Sequence, residues 1–210
     1  AVLSEVTFKV LPLPDDVATL VYPGLTDDLA VELMSLALTQ PYEVSGTVHL
    51  SQALAGRLNN KTLTGSKQAL TAIRLENFTR SITYRKQKLR EVLAAFGAPV
   101  ELELESSMEF WSELRRLSFL PPNGTHVWRI STTPSQAAAL VAAVRRHMAV
   151  EAFYDWSGGL IWLETPASAD AGSADIRRAV ASHGGHATLI RADAAVRRTV
   201  DVFQPLAPAV

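Results

Sequence analysis

The stretch VEAFYDWSGGLIWLE, residues 150–164, decides the fold. Two runs rich in aliphatic and aromatic residues, 150–156 and 160–164, flank the short polar linker Ser157-Gly158-Gly159. Glycines between two such runs are typical of a β-hairpin. The sequence therefore predicts two adjacent antiparallel strands at this point.

The segments around the hairpin complete a larger unit. A strand is predicted at 127–132, followed by a helix with Pro134 in its first turn that runs to His147. After the hairpin, a helix opens at Ser173, Gly184-Gly185 closes it, and a last strand covers 186–191. The resulting order, βαββαβ, is that of a ferredoxin-like unit.

The first half of the chain repeats this order. Strands are predicted at 17–22, 43–50, 69–76 and 99–105, with helices at 27–39 and 79–96. We therefore predict an α+β fold of two tandem ferredoxin-like βαββαβ units that form a largely antiparallel sheet with helices on one face. One continuous sheet and two packed sheets both fit this strand list.

The predicted domain organisation has five parts. Alternating residues such as Val6 and Phe8 indicate a strand and domain junction at 1–16. The first unit covers 17–106, a linking helix and loop cover 107–125, the second unit covers 126–192, and a C-terminal segment covers 193–210.

The composition excludes several classes of protein. The 210 residues contain 20 Lys and Arg against 21 Asp and Glu, so the chain lacks the positive field that carries nucleic-acid binding. There is no cysteine, which removes disulfides and thiolate metal sites. No GxGxxG or GxSxG motif occurs, and we predict no metal site.

Four tryptophans, Trp111, Trp128, Trp156 and Trp162, stand out because three of them lie in consecutive predicted strands. They form either a packed aromatic core or an apolar wall against a planar ligand.

Three stretches of the second unit carry a resemblance to a known family. VWRIS (127–131), YDWSGGLIWL (154–163) and HGGHATLIRA (183–192) resemble signature stretches of the FAD-binding subunit of glycolate oxidase. LSEVTFKVLPLP (3–14), VSG (44–46) and FQPLAP (203–208) fit the same resemblance in order along the chain.

This resemblance implies a flavoprotein of the vanillyl-alcohol-oxidase type. In that group an N-terminal domain holds FAD and a C-terminal cap domain covers the flavin, so the chain is expected to be an excised cap, inactive alone, with FAD bound mainly outside it. The expected partners are its own FAD-binding domain, a second flavin subunit, an iron–sulfur subunit and a small 2-hydroxy acid, with no nucleic acid. The expected location is the cytoplasm or, through partner subunits, the periphery of the inner membrane.

Oxidation of glycolate to glyoxylate suggests roles for individual residues. Arg129 is the candidate clamp for the substrate carboxylate and His186 the candidate base, with Asp155 orienting one of them. Trp128 and Trp156, together with Gly158 and Gly159, are expected near the flavin. Structural alternatives remain open: Arg129 pairs with an acid across the sheet, the glycines only form turns, and His186 only caps a turn. Catalysis could also reside in the second flavin subunit.

Two other classes of function remain open at this stage. A small-molecule-sensing or protein-interaction module without catalysis has the same topology, since a fold does not fix a function. An RNA-binding module fits less well, because the aromatic pattern of such modules is missing. A cap predicts an open face that carries both Arg129 and His186, whereas a sensor predicts a closed pocket.

Overall fold

A computed structural model describes residues 3–10, 13–63, 65–121 and 123–204. Eight strands and seven α-helices lie within these residues. The strands are β1 (Asp16–Pro23), β2 (Val44–Leu50), β3 (Leu70–Asn77), β4 (Val100–Leu102), β5 (Thr125–Ser131), β6 (Glu151–Asp155), β7 (Leu160–Pro166) and β8 (His186–Arg191). The helices are α1 (Asp27–Thr39), α2 (Gln52–Ala55), α3 (Thr79–Val92), α4 (Leu104–Arg116), α5 (Pro134–Arg145), α6 (Ser173–His183) and α7 (Ala194–Thr199).

All eight strands form one continuous sheet in the order β4-β1-β3-β2-β6-β7-β5-β8. Every neighbouring pair is antiparallel. Counted outward from the centre, each half follows the same sequence: second, third, first and fourth strand of its own unit. The α+β fold with two ferredoxin-like units is thus confirmed, and the two units join through their second strands, β2 and β6.

The helices of the repeated units pack on one face of the sheet. Residues of α1, α3, α5 and α6 share a single apolar cluster with inward residues of the strands, such as Leu20, Ile130 and Leu163. The helix ends follow the local signals: the Thr26 hydroxyl accepts a hydrogen bond from the Leu29 N–H, and Pro134 opens α5. The predicted helix layer is therefore present.

Two helices that lie outside the repeat pattern, α2 and α4, cover the other face. Phe110 and Leu114 of α4 pack with Val21, Ala72 and Leu102 in a second apolar cluster. This cover is confined mainly to the first unit. In consequence β1 has six consecutive buried residues, whereas β8 alternates between buried and more accessible ones.

A polar network joins the two units at the seam between β2 and β6. The Asp27 carboxylate accepts hydrogen bonds from the Tyr154 hydroxyl (2.5 Å) and the Arg145 guanidinium (2.6 Å), and it lies 3.3 Å from Nε2 of His49. On its other side, Nδ1 of His49 is 2.9 Å from the Thr71 hydroxyl. The first unit thus contributes Asp27, His49 and Thr71 to this cluster, and the second unit contributes Arg145 and Tyr154.

This network determines the ionisation of Asp27. Burial by itself would raise the pKa of Asp27, but hydrogen bonds from His49 and Tyr154 and the charge of Arg145 outweigh it and hold the pKa far below its usual range. Burial next to Asp27 also raises the pKa of Tyr154. Asp27 is therefore an anion throughout the neutral range.

Several predicted boundaries were wrong. Residues 3–10 contain no strand, and Val6, Phe8 and Val10 are exposed, because no sheet edge among the described residues pairs with them; positions 1, 2, 11 and 12 lie outside the described part of the chain. The strand predicted at 99–105 shrinks to Val100–Leu102, since α4 already begins at Leu104.

The C-terminal segment holds a helix that was not predicted. This helix, α7, places Val196 in the main apolar cluster. Among the described residues, none of the helices combines the length and apolar character that crossing a bilayer requires.

Candidate functional site

The uncovered face of the second unit carries two rows of side chains that cross the strands. The register aligns Asp155, Leu160, Ser131 and His186 in one row, on β6, β7, β5 and β8. The next row consists of Phe153, Trp162, Arg129 and Thr188. Paired residues of an antiparallel sheet point to the same face, so all eight lie on this side of the sheet, where Phe153 and Leu160 are buried and Arg129 and His186 are exposed.

Arg129 and His186 are diagonal neighbours in this surface. Arg129 pairs with Thr188, two residues from His186, a relation that separates Cα atoms by about 7–8 Å. Both side chains are exposed. Within residues 3–10, 13–63, 65–121 and 123–204, no acid pairs with Arg129, so the alternative of a cross-sheet ion pair is not realised there. The structure thus brings a free guanidinium and an imidazole together.

Asp155 does not join this pair. It lies three strands from His186 in the same row, about 14 Å at the usual strand spacing, so it is too far away to orient the imidazole. Its carboxylate instead accepts a hydrogen bond from the Trp156 N–H at 2.8 Å. Burial raises the pKa of Asp155, and this hydrogen bond only partly opposes the rise.

Trp156 occupies a strained turn at the end of β6. Trp156 and Ser157 both have left-handed backbone conformations, with φ of 50° and 59°, which are uncommon for residues other than glycine. The turn is held by the Ser157 N–H, which donates to the Thr47 hydroxyl at 3.0 Å, and by a 3.0 Å hydrogen bond between the Ser157 and Ser35 hydroxyls. The indole of Trp156 is nevertheless 74% exposed. Such strain around an exposed aromatic residue is typical of functional turns.

A cleft of about 520 Å³ opens beside Trp156, between α4 and the sheet. Three of the four tryptophans line it, and we call it the tryptophan cleft. Its charged lining residues are two arginines and one acid. Its walls include Gly46, Arg74, Trp111, Arg115, Asp155, Trp156 and Trp162.

The two arginines of the tryptophan cleft differ in their partners. The Arg74 guanidinium lies 5.6 Å from the centre of the Trp111 ring and donates to Glu76 at 2.6 Å. Burial, opposed by Glu76 and reinforced by the charge of Arg115, lowers the pKa of Arg74. Arg115 itself is exposed and has no ion-pair partner within the described part of the chain.

Trp128 lies elsewhere, which corrects the expectation that its ring forms a wall against a flavin. It is fully buried under the helix layer, where its Nε1 donates to the Ala171 carbonyl at 2.8 Å and Arg177 lies 5.7 Å from its ring centre. The physical reason is strand geometry: successive side chains point to opposite faces, so Trp128 and Arg129 cannot share one.

Gly158 also faces the helix layer. A Cβ atom at Gly158 would lie 2.9 Å from Cβ of Ala137, and its φ is +93°, so the turn requires glycine there for packing and conformation. This placement corrects its assignment to the flavin side. Gly159 is half-buried and closes the turn by donating to the Trp156 carbonyl at 3.0 Å.

The sequence interpretation missed Arg74, Arg115 and the role of Trp111. They lie on β3 and α4, far from the second unit in sequence, and only the packing of α4 across the sheet brings them to Trp156. One local signal existed: Gly46, where a Cβ would meet the Trp111 ring at 3.3 Å, marks a close approach of a large side chain.

Solved structures share this architecture. The chain has the fold of part of p-cresol methylhydroxylase. It superposes on that enzyme with a TM-score of 0.57 at 12% sequence identity, over 87% of this chain and 46% of the enzyme. A 4-ethylphenol oxidase from Gulosibacter chungangensis, in complex with isoeugenol, gives 0.54 at 13% identity, over 87% and 46%. An alkyldihydroxyacetonephosphate synthase gives 0.55 at 11% identity, over 82% and 40%.

These similarities establish the fold alone. The chain spans less than half the length of each of these three proteins. No family model matches its sequence, and no curated protein matches it significantly. Among the described residues, no cluster of three or more His, Cys, Asp or Glu side chains could hold a metal ion.

Proposed function

We propose that this chain is the cap domain of an FAD-linked oxidoreductase that acts on a 2-hydroxy acid, with glycolate as the simplest substrate. The observation that carries the proposal is the exposed pair Arg129 and His186 on the uncovered face of the second unit. The sequence resemblance to the FAD-binding subunit of glycolate oxidase and the fold shared with p-cresol methylhydroxylase both support it.

The uncovered face suits contact with a flavin-bearing domain. Among the described residues, no helix covers Arg129 or His186 on this face, whereas α4 covers the corresponding face of the first unit. Trp156 offers an exposed indole to a planar ring, and Arg129 offers a cation to an anionic group. When bound, FAD supplies the acceptor for the hydride that a 2-hydroxy acid loses.

The residues of this chain would bind and orient the substrate. The Arg129 guanidinium would hold the carboxylate through two parallel hydrogen bonds. The neighbouring His186 imidazole would accept the proton of the 2-hydroxyl group at an unprotonated ring nitrogen. Their Cα atoms lie about 7–8 Å apart on adjacent strands, so a small acid would contact both side chains.

The wider assembly is part of the same proposal. FAD would be held mainly by an N-terminal domain, and a second flavin subunit and an iron–sulfur subunit would complete the complex. It would reside in the cytoplasm or, through its partners, at the inner membrane.

Dye reduction in the reconstituted complex tests this function. The polypeptide that joins this chain to its FAD-binding domain is loaded with FAD, combined with its partner subunits and assayed with glycolate. We expect Arg129→Ala and His186→Ala each to lower kcat/KM at least 100-fold, because each removes a group that contacts the substrate. Arg178→Ala and His147→Ala, on the helix side, should leave it unchanged. Unchanged turnover in the first two variants would leave this chain a scaffold or interaction module.

A further inference from the structure

The proposed base, His186, is the first residue of β8, and its ring is exposed. Asp155 is too far away to orient the ring, and none of the described side chains makes a hydrogen bond with it. The direction of the imidazole therefore depends on residues 183–185, which lead from α6 into β8 and which we call the β8 turn. Three contacts hold the β8 turn in place, and each involves a different residue of the turn.

The first contact is a close approach between two stretches of backbone. Gly185 has a φ of +111°, and a Cβ atom at this position would overlap the carbonyl oxygen of Ser131. Glycine alone combines such a backbone angle with so close an approach. Ser131 is also the residue that pairs with His186 in the sheet. The approach therefore fixes the residue before His186 against the residue opposite His186.

The second contact is a hydrogen bond from a side chain to the backbone of the β8 turn. The Thr132 hydroxyl donates to the Gly184 carbonyl at 3.0 Å. Thr132 is itself held from the other side, because its N–H donates to the Gly159 carbonyl at 3.1 Å. Thr132 directly follows β5, the strand that contains Arg129. One short segment thus contains the proposed carboxylate clamp and restrains the turn before the proposed base.

The third contact joins the two helices next to the β8 turn. Nδ1 of His183 lies 3.2 Å from Oε1 of Gln136, in the first turn of α5. The Gly184 N–H donates to the Val180 carbonyl at 2.8 Å and so ends α6 at the turn. The β8 turn is thus attached to α5, to α6 and to the end of β5. The contact from Thr132 can be removed alone, because valine has the same shape without the hydroxyl.

We propose that Thr132 is a positioning residue for His186. Its hydroxyl holds the β8 turn so that the imidazole stays next to Arg129, where the hydroxyl group of a bound 2-hydroxy acid would lie. Thr132 takes the role that the sequence suggested for Asp155, although it acts through the backbone of the turn and not through the ring. In giving His186 a chemical role, the inference rests on the proposed function. The restraint of the β8 turn can be measured without turnover.

Amide hydrogen exchange of the 210-residue chain, followed by NMR, tests this restraint. We expect the amides at the start of β8 to exchange about fivefold faster in Thr132→Val, because loss of a hydrogen bond makes local opening easier. Thr132→Ser keeps the hydroxyl and should exchange at the wild-type rate. Thr133→Val is the matched control, since the side chain of Thr133 makes no capping hydrogen bond at the start of α5.

Glycolate-dependent dye reduction in the reconstituted complex tests the positioning. Thr132→Val should lower kcat about tenfold and change KM by less than about twofold, because a displaced base slows the chemical step while Arg129 still binds the carboxylate. Thr132→Ser should restore kcat, and Thr133→Val should leave it unchanged. A merely structural role of Thr132 would not separate kcat from KM in this way.

Unchanged exchange at the start of β8 in Thr132→Val, or an equal increase in Thr133→Val, would overturn the inference. So would an unchanged kcat in Thr132→Val when His186→Ala lowers turnover as expected, or a Thr132→Ser variant that behaves like Thr132→Val. If exchange follows the expectation but His186→Ala retains full turnover, the proposed function fails, while the restraint of the β8 turn by Thr132 stands.

Discussion

The two βαββαβ units differ in what lies on their outer faces. In the first unit the sheet is sandwiched between the common helix layer and α4, with Phe110 fully buried. In the second unit the corresponding face carries the exposed Arg129 and His186, and no helix of the described residues covers these two side chains. The comparison shows how a repeated fold divides its tasks, since one copy supplies a closed core and the other a surface with chemical groups.

Removal of the α4 anchor should have the largest effect. Phe110→Ala deletes a fully buried ring under the covered face and should lower the free energy of unfolding by about 4 kcal/mol. Trp156→Ala, on the open face, should change it by no more than about 0.5 kcal/mol. Urea denaturation followed by circular dichroism measures both. Similar losses of unfolding free energy in the two variants would mean that the covered and the open face contribute equally to stability.

The seam network should contribute the next largest effect. Asp27→Asn leaves Arg145, His49 and Tyr154 without their anion and should cost about 3 kcal/mol at pH 7. The folded pKa of Asp27 is depressed, so its contribution is full above the unfolded value of about 3.9 and disappears as the pH falls through the folded value. The difference between wild type and variant should therefore narrow below about pH 4.

Asp28→Asn is the matched control for this prediction. Asp28 also lies in the first turn of α1, but it is exposed and outside the network. Its substitution should cost no more than about 0.5 kcal/mol. An equal loss in both variants would assign the effect of Asp27 to the helix terminus rather than to the seam.

The turn that presents Trp156 should be moderately sensitive. Gly158→Ala places a methyl group 2.9 Å from Ala137 at a φ of +93° and should cost about 2 kcal/mol. Gly97 has a similar φ of +99° but open space around it. The loss of stability in Gly97→Ala therefore measures the cost of the backbone conformation alone. Thermal unfolding should give a larger decrease for Gly158→Ala. If the two decreases match, the packing of the turn against α5 is unimportant.

Acrylamide should quench the tryptophan fluorescence of the two faces to different extents. This comparison involves the smallest change in stability. Trp156 is 74% exposed and Trp128 fully buried. Trp156→Phe should therefore remove most of the easily quenched emission, and Trp128→Phe should remove emission that acrylamide hardly reaches. If Trp128→Phe instead removed the easily quenched emission, the assignment of the exposed and the buried face would be wrong.

Local patterns predicted the fold where strands and helices follow their own periodicity. The hairpin of β6 and β7 and the helix start at Pro134 are examples. Alternation was misleading at Val6 and Phe8, because a strand also needs a partner edge, and that is a tertiary property. The short β4 has the same cause, since only Val100–Leu102 pair with β1 before α4 begins.

The candidate site was predictable in part. Period-two geometry would have separated Trp128 from Arg129 without a structure. The proximity of Arg129 and His186 depends on the register of β5 and β8, which the periodicity of the sequence does not give. Arg74 and Arg115 could not be found from sequence, because their position depends on how α4 crosses the sheet.

The seam between the units also has a consequence for folding kinetics. Only three residue pairs, Val48–Leu50 with Phe153–Asp155, join β2 to β6, and the side-chain contact between Ser51 and Glu151 spans 100 positions of sequence. Contacts of such long sequence separation are slow to form, because a large loop must close first. We therefore expect the units to gain structure separately and to dock late. Conservative seam variants such as Val48→Ala should have φ-values near zero and act mainly on the unfolding rate.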